Sequence, residues 1–164
     1  MNQANKWLVG LVGAGLVAST TLWEGTEYKP YKDVTGTWTA CQGITENVKP
    51  DKIYTKQECD VLLSNNLAKH GKDALGCINV PISRNEYDAY TMFTYNVGAT
   101  NFCSSLALKE LNKGNHELAC KRLATSPNGS PAWSYSKGIF FQGLQNRRKY
   151  ESNLCLGLIE HPVK

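Results

Sequence analysis

Two carboxylates and a hydroxyl stand close together early in the chain: Glu24 in Trp23-Glu24-Gly25, Asp33 nine positions on, and Thr39 six positions after that. Glycosidic bond cleavage needs such a pair. One carboxyl is protonated and delivers its proton to the leaving oxygen, while a second, ionised, activates water or stabilises the oxocarbenium-like state. Two carboxyls do both when their surroundings differ. Glu24 follows an apolar run and precedes a glycine, so partial burial there favours the acid form. Asp33 lies on the polar approach to a hairpin and is expected to stay ionised, with Thr39 reaching across to hold an attacking water. Spacing alone does not decide the matter, because a helix-terminal glutamate and a loop aspartate occur at this distance in many chains.

Other catalytic signatures are missing. There is no Gly-x-Ser-x-Gly elbow, no His-Glu-x-x-His helix and no Walker loop, and His70, His116 and His161 stand in polar helix or tail contexts that read as solvated. Six cysteines are dispersed with no Cys-x-x-Cys and no histidine at ligand spacing, so no metal and no cofactor is expected. An even, scattered set reads as disulfides made in an oxidising compartment. Neighbour pairing is expected: Cys41 with Cys59, Cys77 with Cys103, and Cys120 with Cys155. The alternative is free, buried thiols acting as small apolar groups.

At 164 residues, 41% of them hydrophobic and 20% charged, the chain fits one globular domain, neither disordered nor polytopic. Its net charge of +4 is modest and the basic residues are scattered apart from Arg147-Arg148-Lys149, so no nucleic-acid partner is expected. An anionic polymer such as a cell wall suits this charge.

The elements that must position the carboxylates begin with Trp7 to Trp23, seventeen residues without a charge. That length is at the short end for a membrane span. Lys6 before it and Glu24 and Glu27 after it favour an N-terminus in the cytoplasm with the rest outside. Glycines, alanines, Ser19, Thr20 and Thr21 dilute the run, so lipid would hold it loosely. Three readings follow. Cleavage as a secretory signal near Ala18 or Ser19 would strip Glu24 of the element that places it. Gly-Ala-Gly-Leu-Val-Ala matches a dinucleotide fingerprint, but no βαβ unit follows. The third reading is a marginal membrane segment that leaves the bilayer, after which Gly13 to Trp23 packs as the first helix of the soluble domain and delivers Glu24, its small residues allowing close packing.

From Tyr31 to Ile44 the residues favour a small sheet of two or three strands turning at Thr35-Gly36. Thr55 and Glu58 form a capping box that opens a helix to about Gly71, with Val61, Leu62, Leu67 and Ala68 as its apolar face. Ser83 and Glu86 repeat the device, opening a helix whose Tyr87, Tyr90, Met92, Phe93 and Tyr95 form a core stripe and which stops at Gly98. Ser104 or Ser105 caps a short helix ending at Gly114, and Asn115 another to about Ala124. Ser126 to Pro131 reads as a surface loop, and 138–157 as the last helix.

Glu24-Gly25, Tyr31-Lys32-Asp33, Gly36, Trp38-Thr39 and Gly43, then Phe93-Thr94-Tyr95-Asn96-Val97-Gly98, then Gly143-Leu144, Arg147-Arg148 and Glu151, occur in that order. Together they resemble the phage-type lysozymes of glycoside hydrolase family 24, over residues 24–156. The resemblance implies an α+β fold, a mainly helical lysozyme-like domain with a small antiparallel sheet lobe. It implies hydrolysis of the β-1,4 bond between N-acetylmuramic acid and N-acetylglucosamine in peptidoglycan, with Glu24 as proton donor, Asp33 as water-positioning carboxylate and Thr39 as its partner. Asn96 to Gly98 and Arg147 to Glu151 read as structural, and Cys41, between Thr39 and Gly43, offers a route for thiol chemistry to reach the site. The N-terminus resembles the signal-anchor-release element of some phage endolysins. That implies residues 1–23 as a releasable segment ahead of a catalytic domain at 24–164. Residues 7–23 would sit in the host inner membrane, facing the periplasm, before release of a monomer into the periplasm. Two rivals stand beside this reading: a lytic transglycosylase working with one glutamate, and a tethered wall-binding module without catalysis.

Overall fold

The computed structural model describes residues 1–162. The uncharged N-terminal run does not form one helix. A 3-10 helix spans Gln3–Leu8, Gly10 breaks the chain at φ +75°, and helix α1 runs only over Ala14–Glu24. Asn5, fully buried, holds this first segment down. Its side-chain amide donates to the Val80 carbonyl at 2.9 Å, and its oxygen accepts from the Ile82 amide at 3.0 Å, so no polar atom of the side chain is stranded. Leu8, Leu16 and Val17 reach the main core. Among the described residues no helix is long and apolar enough to cross a membrane.

After α1 the chain forms one antiparallel hairpin, strands β1 (Glu27–Lys32) and β2 (Trp38–Cys41), with Tyr31 opposite Thr39. Gly36 supplies the positive φ that the turn requires. Beneath the hairpin lies a small core of Ala40, Cys41, Ile44, Tyr54 and Cys59.

The rest is helical. Helix α2 (Lys56–Cys77) and helix α3 (Arg84–Val97) both open with the expected capping boxes, on Thr55 with Glu58 and on Ser83 with Glu86. Gly71 does not end α2. A Cβ there would lie 2.3 Å from the Tyr87 hydroxyl, so this glycine is a close-packing site between α2 and α3 rather than a stop. The buried face of α2 is Cys59, Leu63, Leu67, Gly71, Ala74 and Leu75, a spacing of about one turn, while Val61 is exposed. The aromatic stripe of α3 is core as expected, with Tyr87, Tyr90, Met92 and Phe93 buried, and Gly98 closes the helix at φ +89°.

Short helices α4 (Ala99–Cys103), α5 (Leu106–Asn112) and α6 (His116–Arg122) follow; Ser105 caps α5 by accepting from the Leu108 amide. The last helix starts later than the periodicity suggests. Strands β3 (Tyr135–Ser136) and β4 (Ile139–Phe140) form a second hairpin, and α7 covers Gln142–Cys155. Lys137 and Gly138 both take positive φ, the signature of a two-residue primed turn, so the exposed Phe140 and Phe141 belong to the hairpin and its exit instead of a helix face.

All six cysteines are paired, Cys41 with Cys59, Cys77 with Cys103 and Cys120 with Cys155, as neighbour pairing predicts. The first joins β2 to α2 and pins the hairpin to the helical body. Replacing Cys41 and Cys59 together by serine is expected to lower unfolding stability by about 2–4 kcal/mol, measured from urea midpoints.

Candidate active site

Helix α1 ends at Glu24 because Gly25 adopts φ +69° and turns the chain toward β1. The carboxyl therefore stands at a helix end, four-fifths buried, and it meets a partner from far along the sequence. Glu24 Oε1 lies 2.7 Å from Arg147 Nη2, a close charge contact not aligned as a hydrogen bond. Arg147, on α7, also points Nε at Glu151 Oε1 at 3.3 Å, and Arg148 Nη2 reaches the same oxygen at 2.8 Å. Spacings of three and four residues put all three side chains on one face of α7.

Glu151 is fully buried. Burial pushes its carboxyl up and the Arg148 guanidinium down, and the arginines oppose the rise by favouring the carboxylate. Arg148 also lies over the Phe93 ring at 5.0 Å, a cation–π contact that fits its apolar surroundings. Next to Glu24, Trp23 meets Tyr150 edge to face with ring centroids 5.5 Å apart.

Asp33 sits in the β1–β2 turn. Its Oδ1 accepts from the Thr35 amide at 2.8 Å, the Thr35 hydroxyl at 2.6 Å and the Thr37 amide at 3.0 Å. The Thr35 hydroxyl first, then the Thr37 amide, hold the Asp33 carboxyl below the usual aspartate value of 3.8. Thr39 is buried on β2, and its hydroxyl donates to the Thr37 carbonyl at 3.1 Å. The hairpin thus carries Asp33 and Thr39 together, but Asp33 bonds Thr35 and Thr37, and no hydrogen bond among the described residues joins it to Thr39.

Gln42 couples the hairpin to the helices. Its side-chain amide donates to the Thr21 hydroxyl of α1 at 3.2 Å, and its backbone carbonyl accepts from the Tyr95 hydroxyl of α3 at 2.7 Å. Burial, then the charge of Glu24, push the Tyr95 phenol upward, so it remains a donor.

Arg147 keeps its structural reading and in addition touches Glu24, a contact that its Arg-x-x-x-Glu spacing on α7 does not announce. Two sequence expectations need correction. The histidines are not free in solvent: each has a protein partner, although the His116 side chain stays 43% exposed. His161 bonds Ser19 and Asp88, His116 bonds Glu86, and His70 packs edge to face on Tyr95, where burial lowers its pKa. Cys41 brings no thiol to the site, because it is bonded to Cys59.

The family model described as phage lysozyme matches residues 21–151, which include Glu24, Asp33, Thr39, Arg147 and Glu151. The chain belongs to the phage lysozyme family. This lysozyme is 39% identical over 134 residues to a SAR-endolysin of Bacteriophage PS119, covering 81% of this chain and 76% of that one. It is 33% identical over 156 residues to a SAR-endolysin of Pseudomonas phage phiKMV, covering 93% of this chain and 92% of that one. Among solved structures, the endolysin from Escherichia coli O157:H7 phage FAHEc1 superposes with a TM-score of 0.78 at 25% identity, over 93% of this chain and 97% of that one. The lysozyme-like α+β fold is therefore shown, and with it a glycoside hydrolase that acts on peptidoglycan.

Replacing Arg147 by alanine leaves the buried Glu151 with one arginine and Glu24 without its partner. The variant is expected to lose about 3–5 kcal/mol of stability. Lysine should not restore it, since one ammonium cannot serve two carboxylates as the guanidinium fork does; urea unfolding of both variants checks this. Asp33 carries the opposite kind of linkage. A depressed folded-state pKa contributes stability above the ordinary value of 3.8, lost as pH falls through the depressed one. The advantage of the wild type over Asp33→Asn in urea midpoints should therefore be present near neutrality and vanish well below pH 3.8.

Proposed function

We propose that this lysozyme is an endolysin that hydrolyses the β-1,4 bond between N-acetylmuramic acid and N-acetylglucosamine, with Glu24 as proton donor, Asp33 positioning water and Thr39 as its partner. The observation that carries it is the placement of Glu24: a carboxyl at a helix end, with one oxygen against Arg147, at the edge of a hairpin bearing the second carboxylate. Arg147 occupies Oε1, so Oε2 is the oxygen that presents a proton to the leaving group. On the hairpin, Asp33 Oδ1 is used by the turn and Oδ2 has no protein partner among the described residues, so Oδ2 accepts from water. The Thr39 proton is committed to the Thr37 carbonyl, and its lone pairs accept a second hydrogen of that water. Water adds to the anomeric carbon, the glycosidic C–O bond breaks, the leaving oxygen takes the proton of Glu24, and the proton lost by water leaves through Asp33.

The N-terminal segment belongs to the same reading. Relatives named SAR-endolysins align with this chain, one over 93% of it. We read residues 7–23 as an anchor in the host inner membrane that holds the enzyme on the periplasmic face, and the packed arrangement of 1–24 as the released form. Delivery of Glu24 by α1 then couples activity to release into the periplasm, where a monomer works on the wall. Gly13 and Gly15 suit both states, small enough for a loose span and for close packing on Arg84 and His161.

Glu24→Gln is expected to abolish clearing of permeabilised cells, and equal clearing by both forms would overturn the assignment. A chain lacking residues 1–20 should lose most activity on purified peptidoglycan. Mass spectrometry of the fragments should show a reducing muramic acid; an anhydro product would make the enzyme a transglycosylase.

A further inference from the structure

His161 lies in the tail beyond α7, and both of its ring nitrogens are engaged. Nδ1 is 2.6 Å from Ser19 Oγ on α1, and Nε2 is 2.7 Å from Asp88 Oδ2 on α3. Asp88 is buried and its other oxygen accepts from Arg84 Nε at 2.9 Å. Ser19 is buried as well, and its hydroxyl meets the Tyr150 hydroxyl on α7 at 2.8 Å. His161 packs this close to the helix because position 15 is glycine: a Cβ there would stand 2.7 Å from His161 Cβ.

Aspartate, histidine and serine in a row look like a nucleophile relay, but Ser19 is enclosed in mid-helix with Tyr150 over it, so no substrate reaches its hydroxyl. The row is mechanical. Ser19 lies one turn before Trp23, and Trp23 packs on the same Tyr150 that Ser19 bonds. The apolar grip of α1 on the body is Leu16 and Val17 on the buried side and the partly buried Trp23 near its end, with Leu22 turned outward. Apolar packing is non-directional, so the polar contacts add what fixes the helix along its axis, and with it where the Glu24 carboxyl stands.

We propose that His161 is a positioning residue for hydrolysis: by bridging Ser19 on α1 to Asp88 on α3, the C-terminal tail latches the helix that carries Glu24 in the register that sets its carboxyl on Arg147. The proposal rests on Glu24 being the proton donor. Histidine suits the task because its two nitrogens face opposite ways, one donating to a carboxylate while the other shares a hydrogen bond with a hydroxyl. A catalytic group displaced by an ångström loses rate steeply, whereas substrate affinity, set elsewhere, does not.

The full chain carrying His161→Ala is assayed on purified peptidoglycan beside wild type, Glu24→Gln and His161→Gln, with amide hydrogen exchange on each. His161→Ala is expected to lower kcat roughly tenfold to a hundredfold at unchanged KM. It should lose exchange protection in α1 while α2 and α3 keep theirs. His161→Gln, which keeps a donor for Asp88, should recover part of both. Wild-type kcat in folded His161→Ala, or a fall in rate with α1 protection intact, overturns the proposal. Should His161→Ala not fold, Ser19→Ala, which removes one hydroxyl, is judged by the same criteria. Retained activity in Glu24→Gln defeats the assignment of the donor; an inactive Glu24→Gln beside a fully active His161→Ala defeats the latch alone.

Discussion

A carboxylate with no access to solvent, Glu151, constrains the structure around the site. Such a charge must be paired or its burial is prohibitive. Both arginines that pair it come from its own helix, one turn back, on the face of α7 that meets Glu24 of α1 and Phe93 of α3. Arg148 is consumed entirely by the interior, between Glu151 and the Phe93 ring. Arg147 is shared: one side of its guanidinium joins Arg148 on Glu151 Oε1, and the other meets Glu24, while Glu151 Oε2 has no hydrogen-bond partner among the described residues. The same residue that pairs the buried Glu151 therefore also contacts Glu24, so stability and the placement of the proposed proton donor are tied through one side chain.

The second half of the site is built by a different kind of force. Asp33 and Thr39 ride on a hairpin whose turn is closed by Asp33 itself, through Thr35 and Thr37. A two-stranded hairpin is marginal alone. This one is fixed from outside, by the Cys41 to Cys59 bond, by the small core beneath it, and by Gln42 held between α1 and α3. Thr21 of α1 is one of those anchors, so the helix that ends in Glu24 also helps seat the hairpin that bears Asp33. Both carboxylates depend on α1 resting in its place, which Leu16, Val17 and Trp23 secure by packing and Ser19 and Thr21 by hydrogen bonds.

Much of this was readable from local patterns. Capping boxes at Thr55 and Ser83 marked two helix starts because each motif satisfies its own orphan amides within four residues. Gly36 and Gly98 marked a turn and a stop because each needs a positive φ. Glu24, Asp33 and Thr39 could be singled out from type and order, and neighbour pairing of the cysteines followed the low entropy cost of closing short loops. The misreadings were also local patterns, but ones that a distant partner overrode. Gly71 looked like a helix end until Tyr87 is seen filling the space of its missing Cβ, and Phe140 looked like a helix face until the Lys137-Gly138 turn folds it back.

The sequence by itself determined which groups could do the chemistry, where most helices begin, and that the run before Glu24 is ambiguous between lipid and protein, since each follows from residues a few positions apart. Only the tertiary structure decided that Arg147 attends Glu24 and that His161 joins Ser19 to Asp88. Those contacts span 123, 142 and 73 positions for the pairs Glu24 with Arg147, Ser19 with His161 and Asp88 with His161. Nothing in the spacing of a pair so far apart encodes its meeting; the packing of α1 against α3 and α7 brings the partners together, and the cost of leaving a buried charge or hydroxyl unpaired selects them.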